Sequence, residues 1–337
     1  MNMPLLRERL EHYLAENCID APIEPITPDA STRRYFRFQR HGRSVVACVY
    51  PDDIKHAAHN YIDVTGLFRR NGLPVADVYD FDEVRAIIVV EDLGDTVLRP
   101  VLEEADDKKK TELTCSAIKL IAQIQAATSS ANESNSIASR LKFDVEKLMW
   151  ELNYFKIHYF STYKKRPLKA EIDSQLDAEF MQLSNELENA ATTLCHRDFH
   201  AANLMIDERG DLRIIDHQDA RMGSPAYDLV SLLLDRVTDL PSAEWLDDMK
   251  SVFKEERRKV GLEEFDSVDF DREFDLQTVQ RCLKAAGTFS FQSAVREKAY
   301  FIPFIDPMFQ IVHATLSRID RFPTLRKVLE AEFAAND

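Results

Sequence analysis

Between Cys195 and Asp219 the chain reads CHRDFHAANLMIDERGDLRIIDHQD, a stretch in which Asp198, Asn203 and Asp216 offer oxygen atoms and His196, His200 and His217 lie among them. Phosphoryl transfer asks for a carboxylate that orients the attacking hydroxyl, oxygen ligands for Mg²⁺ on nucleotide phosphates, and positive charge on the transferred group. Residues 196 to 203, His-Arg-Asp-Phe-His-Ala-Ala-Asn, have the spacing H-R-D-x-x-x-x-N that serves this chemistry, and Asp216 stands where a second metal-binding carboxylate is needed. Taken singly, each residue also fits an ordinary surface: Arg197 and Asp198 as an ion pair, Asn203 capping a turn, Asp216 ending a strand in solvent. Their combined order and spacing favour the chemical reading.

These side chains need elements to hold them. LMID and LRIID are short apolar runs joined by Glu208, Arg209, Gly210 and Asp211, which predicts an antiparallel hairpin. Such pairing brings Asn203 and Asp216 to one end, with Asp198 on the loop leading in, so the three can converge. Spaced His and Asp groups also form metal-site patterns, His196 and His200 standing at His-x-x-x-His spacing next to Cys195, but a zinc site is not the expectation here. Tyr227 and Asp228 open an apolar helix and can serve simply as its cap.

The 337 residues, 45% hydrophobic, suffice for one large or two medium domains with a real core. The longest apolar runs, such as AIIVV at 86 to 90, fall far short of the ~20 residues of a membrane span. The opening MNMPLLRERLEHYL lacks a cleavable signal pattern and instead places Leu6, Leu10, Tyr13 and Leu14 at helical spacing, so a cytoplasmic protein without membrane association is expected. The five cysteines are scattered and never form a CxxC pair, which predicts reduced, mostly buried thiols. A net charge of −15 without a basic stripe argues against a nucleic-acid partner.

Residues 25 to 94 read as strand-rich: RRYFRFQR alternates, Gly42 turns the chain, SVVACVY follows, and AIIVVEDLG ends in a glycine. Between them IKHAAHNYIDVTGLFRRNG reads as a helix closed by Asn71 and Gly72, giving a small antiparallel sheet with one helix on it. From about residue 108 the pattern turns helical, with Leu113, Ala117, Leu120, Ile121 and Ile124 on one face and Leu148, Leu152, Phe155 and Tyr159 on another. TSSANESNSIAS reads as a mobile polar loop. The expected architecture is α+β in two unequal lobes, 1–94 and 95–337, crossing at Glu91 to Gly94.

DASTRRYFR at 29 to 37, VVEDLGD at 89 to 95, HRDFHAANLM, IDHQDARMGSPAYDLVSLLLD at 215 to 235 and VQRCLKAAGTF at 279 to 289 together span most of the chain. In these stretches it resembles the aminoglycoside phosphotransferase and choline kinase superfamily, small-molecule relatives of protein kinases. Within that superfamily it is most similar to bacterial N-acetylmuramate/N-acetylglucosamine anomeric kinases of cell-wall sugar recycling. The resemblance implies a protein-kinase-like two-lobed fold, with a small antiparallel-sheet N-lobe and a larger, mainly helical C-lobe. It also implies ATP and Mg²⁺, with Asp198 as base, Asn203 and Asp216 as Mg²⁺ ligands, and the backbone of Glu91, Asp92 and Leu93 as a hinge touching adenine. Asp228 would brace the catalytic loop, and the partner would be a sugar, with the enzyme a monomer or weak homodimer.

The sequence departs from the kinase pattern on the phosphate side. No G-x-G-x-x-G precedes the hinge, so Ser31 and Thr32 are left as donors and Arg33 or Arg34 as the charge; edge-strand surface is an equal account of each arginine. SVVACVYPDD carries no lysine, so Arg33 or Arg34 substitutes or Lys55 reaches back. A nucleotide-binding pseudokinase is the rival, opposed by the retained Asp198, Asn203 and Asp216. His217 takes a position where an aromatic is expected, and packing is its plainer role. Gln218 and Asp219 suit sugar hydroxyls, or else hold the loop ARMGSP, while His200 supports the loop near the substrate. Gln280, Arg281 and Lys284 share a helix face that could receive an anionic sugar or lie in solvent. The expected activity is phosphorylation of an amino-sugar hydroxyl. Its enzyme rival is an aminoglycoside or choline-type kinase, for which the acidic run at 262 to 275 would attract a cation.

Overall fold

The computed structural model describes residues 3–26 and 32–334. They fall into two compact units, one drawn from residues 1–110, 129–138 and 201–220, the other from 111–128, 139–200 and 221–337.

The first unit is built on an antiparallel sheet of β1 (Glu24–Ile26), β2 (Arg34–Arg40), β3 (Arg43–Val49), β4 (Val78–Asp82) and β5 (Ile87–Glu91), in the order β1-β2-β3-β5-β4. Arg40 pairs with Arg43, and the intervening His41 and Gly42 both have positive φ (52° and 74°), as a two-residue hairpin turn requires. Alternation does the rest. Phe36, Phe38, Val45, Ala47 and Val49 turn to one face, against Leu6, Leu10, Tyr13 and Leu14 of helix α1 (Met3–Glu16). Cys48, Tyr50 and Ile88 turn to the other, against Ala58, Tyr61 and Ile62 of helix α2 (His56–Arg70). The sheet thus carries a helix on each face rather than the single one expected. It also includes two strands the alternation did not reveal: β1 has only three residues, and β4 is irregular between Val78 and Asp80.

The predicted hairpin forms, with Leu204 opposite Ile214 and Ile206 opposite Leu212. Gly210, at φ +85°, closes its turn, and the Asp207 carboxylate accepts the amides of Arg209 and Asp211, each at 3.0 Å. The hairpin belongs to the sheet unit: Ile214 N–H donates to the Pro74 carbonyl at 2.8 Å and Ile206 N–H to that of Thr96 at 2.8 Å. The stretch at 128 to 139 is not a mobile loop. It folds as two short helices, Thr128–Glu133 and Ile137–Arg140, because Ala131 and Ala138 are buried and the Asp63 carboxylate takes both the Ser136 hydroxyl and the Ile137 amide.

The second unit is mainly helical around the long helix Ser267–Ala294, started by the Asp266 side chain, which accepts the amides of Val268 and Asp269. The acidic run at 262 to 275 is thereby largely this cap and the first turns of the helix. A Cβ at Gly287 would lie 2.6 Å from Phe155 Cα, so the missing side chain is what lets this helix approach helix Val145–Phe155. A ribbon of Thr193–Cys195 with Arg221–Gly223 leads into the loop that bears Asp198. Among the described residues all five cysteines are free, with Cys48, Cys195 and Cys282 buried. Among them, too, no helix is long and apolar enough to cross a membrane.

Candidate active site

In the second unit the ribbon delivers His196 and Arg197 onto Asp228, in the first turn of helix Tyr227–Leu234. The fully buried Asp228 carboxylate accepts His196 N–H at 2.6 Å and Arg197 N–H at 3.1 Å. Arg197 has φ +86°, a conformation L-residues adopt at a cost, and these two bonds clamp the loop in it. Asp228 therefore braces the loop.

Asp198 follows directly. Lys284 Nζ donates to its Oδ1 at 3.0 Å, Arg197 Nε lies 3.7 Å from Oδ2, and Arg281 Nη1 lies 3.9 Å from Oδ1. Burial pushes the Asp198 carboxyl up, but Lys284, Arg197 and Arg281 outweigh it and hold the group well below the usual carboxylate range. Asp198 is thus an ionised hydrogen-bond acceptor at neutral pH. Lys284 is pushed down from the ordinary ammonium value by burial and by Arg281, against the pull of Asp198 and Glu151. The face of Gln280, Arg281 and Lys284 is not solvated surface. Gln280 is buried and donates to Glu151 at 2.8 Å, while buried Arg281 donates to the Tyr227 hydroxyl at 3.0 Å and to Ser231. Lys284 alone of the three makes a hydrogen bond to Asp198. His200 donates its amide to the Asp198 carbonyl at 3.1 Å.

In the first unit, Ile215 N–H donates to the Asn203 carbonyl at 3.2 Å, keeping Asn203 and Asp216 at the same end of the hairpin. Asp216 has φ +63° and a partly exposed carboxylate. Arg33 stands on it: its guanidinium donates to Asp216 Oδ1 and, at 3.0 Å, to Gln218 Oε1, while Gln218 Nε2 donates to Asp216 Oδ1 at 3.0 Å. The guanidinium carbon also lies 5.8 and 5.7 Å from the ring centroids of Tyr35 and Tyr50. Lys55 instead pairs with Asp52 at 2.9 Å at the surface. Arg34 donates to the Arg33 carbonyl at 3.4 Å, Thr32 is exposed, and Ser31 lies outside the described residues.

His217 is packed. Its ring lies 4.7 Å from that of Tyr61 and 5.4 Å from that of Phe68, with Nε2 2.6 Å from the Thr65 hydroxyl. Gln218 is buried, so its amide aligns Arg33 with Asp216 rather than reaching outward; Asp219 is half-buried in the turn that Ala220 N–H closes on the His217 carbonyl. The side chains of Glu91 and Asp92 are spoken for. Glu91 receives Arg213 at 2.6 and 3.2 Å and the Asp77 amide at 3.1 Å; Asp92 receives Arg37 at 2.7 and 3.0 Å and the Gly94 amide at 3.1 Å. Only main-chain atoms of this segment, with half-buried Leu93, are left for a ligand.

A divalent cation fits the hairpin end chemically. A carboxylate and an amide oxygen are the hard donors Mg²⁺ takes when phosphates supply the remainder, and Asp216 already faces a cationic group. Among the described residues no cluster of three or more His, Cys, Asp or Glu forms a cage made by protein alone. Two participants escaped the sequence reading, Arg213 and Glu151. A signal for Glu151 exists, an acid between Leu148 and Leu152 on an otherwise apolar helix face.

The profile of the phosphotransferase enzyme family matches residues 22–262. The N-acetylmuramate/N-acetylglucosamine kinase of Neisseria meningitidis is 31% identical over 274 residues, covering 78% of this chain and 76% of that protein. The kinase of the same name from Pseudomonas aeruginosa is 25% identical over 327 residues, covering 95% and 92%. Among solved structures, the choline kinase of Streptococcus pneumoniae superposes with a TM-score of 0.61 at 13% identity, covering 93% of this chain and 99% of that one. ADP-bound aminoglycoside phosphotransferase APH(2'')-Ib does so with 0.55 at 15%, covering 90% and 97%. At such identities the two superpositions speak for the fold, and the expected protein-kinase-like architecture is the one found.

Proposed function

The chain belongs to the phosphotransferase enzyme family and is a small-molecule kinase, and from that premise we propose that it transfers the γ-phosphoryl group of ATP, with Mg²⁺, to an amino sugar. The acceptor we assign is the anomeric hydroxyl of N-acetylmuramate or N-acetylglucosamine, the sugars in the names of the relatives. The observation that carries the reading is the Asp198 carboxylate, kept ionised by Lys284 on a loop clamped by Asp228.

In this reading Asp198 accepts a hydrogen bond from the sugar hydroxyl and fixes its line of attack. A carboxylate held so acidic is a poor base toward a ground-state alcohol, so its main work is orientation. The sugar oxygen forms its bond to the γ-phosphorus as the β,γ-bridging P–O bond breaks, ADP leaves, and the proton passes to Asp198 only once the alcohol has become strongly acidic. Lys284 stabilises the carboxylate until then. On the nucleotide side Arg33, aligned by Gln218, serves in place of the strand lysine, with Arg34, Ser31 and Thr32 as further phosphate contacts. The main chain of Glu91, Asp92 and Leu93 meets adenine. Asn203 and Asp216 would hold Mg²⁺, which supplies charge neutralisation on the phosphates. We assign His200 and Asp219 to the acceptor. The reaction belongs in the cytoplasm, where ATP is available.

The test is product identification by NMR after incubation with ATP, Mg²⁺ and a panel of N-acetylmuramate, N-acetylglucosamine, choline and an aminoglycoside. Phosphate on the anomeric carbon of an amino sugar is the expected result. Phosphate on choline or the aminoglycoside, or on nothing, overturns the proposal.

A further inference from the structure

Helix Val145–Phe155 carries a base and an acid one turn apart, Lys147 and Glu151, that the proposed reaction leaves without a role. Glu151 is 1% exposed, accepts Gln280 at 2.8 Å, and lies 3.7 Å from Lys147 Nζ. Burial pushes its carboxyl up, yet Lys284, Lys147, Arg197 and Arg281 hold it below the ordinary value. Glu151 and Asp198 therefore share Lys284, Arg197 and Arg281 between them, while the oxygens of Asp228 accept two backbone amides. The region around Glu151 is rich in positive charge.

Lys147 is a partly exposed member of this group. Its amide donates to the Asp144 cap at 2.7 Å, its side chain is partly exposed, and Nζ lies 4.1 Å from the centroid of the Trp150 ring. Burial, with Arg197, Arg221 and Lys284, pushes its ammonium down against the pull of Glu151, and that shared carboxylate ties it to Gln280, one turn from the Lys284 that meets Asp198. Trp150 is 56% exposed, and Tyr154 and His158 continue the aromatic surface, with ring centroids 5.4 and 4.1 Å apart in succession. An exposed indole beside an ammonium suits a ligand with one apolar ring face and one anionic substituent.

Resting on the sugar-kinase reading, we infer that Lys147 and Trp150 form the specificity subsite of the acceptor. Trp150 takes the apolar face of the sugar ring, and Lys147 takes the carboxylate of a hexosamine that bears an acid-ended ether arm. N-acetylmuramate has that arm and N-acetylglucosamine lacks it, so the pair isolates the charge.

The experiment measures binding of both sugars by calorimetry in the presence of Mg²⁺ and a non-hydrolysable ATP analogue, and kcat/KM for each with ATP. It uses the full chain and the variants Lys147→Met, Lys147→Arg and Trp150→Ala. The unmodified protein is expected to prefer the acidic sugar, and Lys147→Met to lower that preference by about 10–100-fold, the worth of a hydrogen bond to a charged group. Lys147→Arg restores most of the preference, whereas Trp150→Ala weakens both sugars alike. Equal affinity of the unmodified protein for the two sugars, or an equal loss of both in Lys147→Met, overturns the inference. Preferential binding without phosphoryl transfer would instead overturn the kinase reading and leave the subsite standing.

Discussion

Lys284 donates its ammonium to Oδ1 of Asp198 at 3.0 Å, across 86 residues of sequence, and this contact controls the protonation of the carboxylate. Lys284→Met removes the strongest of the influences that keep Asp198 acidic. Because a depressed carboxyl stays ionised down to low pH, losing that depression moves the acidic limb of the kcat/KM profile to higher pH, and kcat/KM at neutral pH falls by about 10–100-fold. An acidic limb that stays in place would remove Lys284 from this role.

Asp198→Asn keeps the shape and removes the charge. Turnover is expected to drop by about 10²–10⁴-fold, the usual contribution of general acid–base groups, with the loss falling on kcat. Near-normal single-turnover rates would take Asp198 out of the mechanism.

On the nucleotide side the two cations make opposite predictions. Arg33→Met breaks contacts with both Asp216 and Gln218, and the KM for ATP is expected to rise by about 10–100-fold. Lys55→Met, which loses only a surface pair with Asp52, leaves it within about twofold. Steady-state titration of ATP decides the matter, and a reversed order would hand the phosphate contact to Lys55.

Glu91→Gln tests the tie between sheet and hairpin. The change weakens a two-pronged contact with Arg213 and costs about 1–3 kcal/mol of stability by urea unfolding at pH 7. Burial raises the Glu91 carboxyl, but Arg213 and the Asp77 amide lower it further, so its folded value is depressed. Its contribution is therefore present above the ordinary glutamate value and lost as the pH falls through the folded one. The two proteins should converge in stability at strongly acidic pH.

Gly287→Ala places a methyl group 2.6 Å from the Phe155 backbone, which cannot yield as a flexible side chain would. A loss of about 1–3 kcal/mol is expected from such overpacking, measured by urea unfolding. An alanine variant as stable as the parent would mean that the two helices separate freely.

Much of the architecture could be read locally. Alternation in RYFRFQR, the turn at His41 and Gly42, and the apolar pairs flanking Gly210 are each settled within a few residues, and the antiparallel hairpin carrying Asn203 and Asp216 forms as expected. The stretch at 128 to 139 misled because its polarity resembles a loop, whereas distant Asp63 satisfies Ser136 and the Ile137 amide. The three-residue strands at 24, 193 and 221 are too short for any period to show.

What the sequence determined by itself was the set of groups and their order: Asp198, Asn203 and Asp216 around a hairpin, with no strand lysine. Which partner each group takes was decided only by tertiary structure. Arg33 and Lys55 were equivalent candidates on paper, and Gln280, Arg281 and Lys284 shared one helix face. A cation's partner depends on the distance between elements remote in sequence, 183 residues for Arg33 with Asp216 and 86 for Lys284 with Asp198. Periodicity reports only which way a side chain faces along its own element, and the charge waiting on that side is set by the packing of the fold.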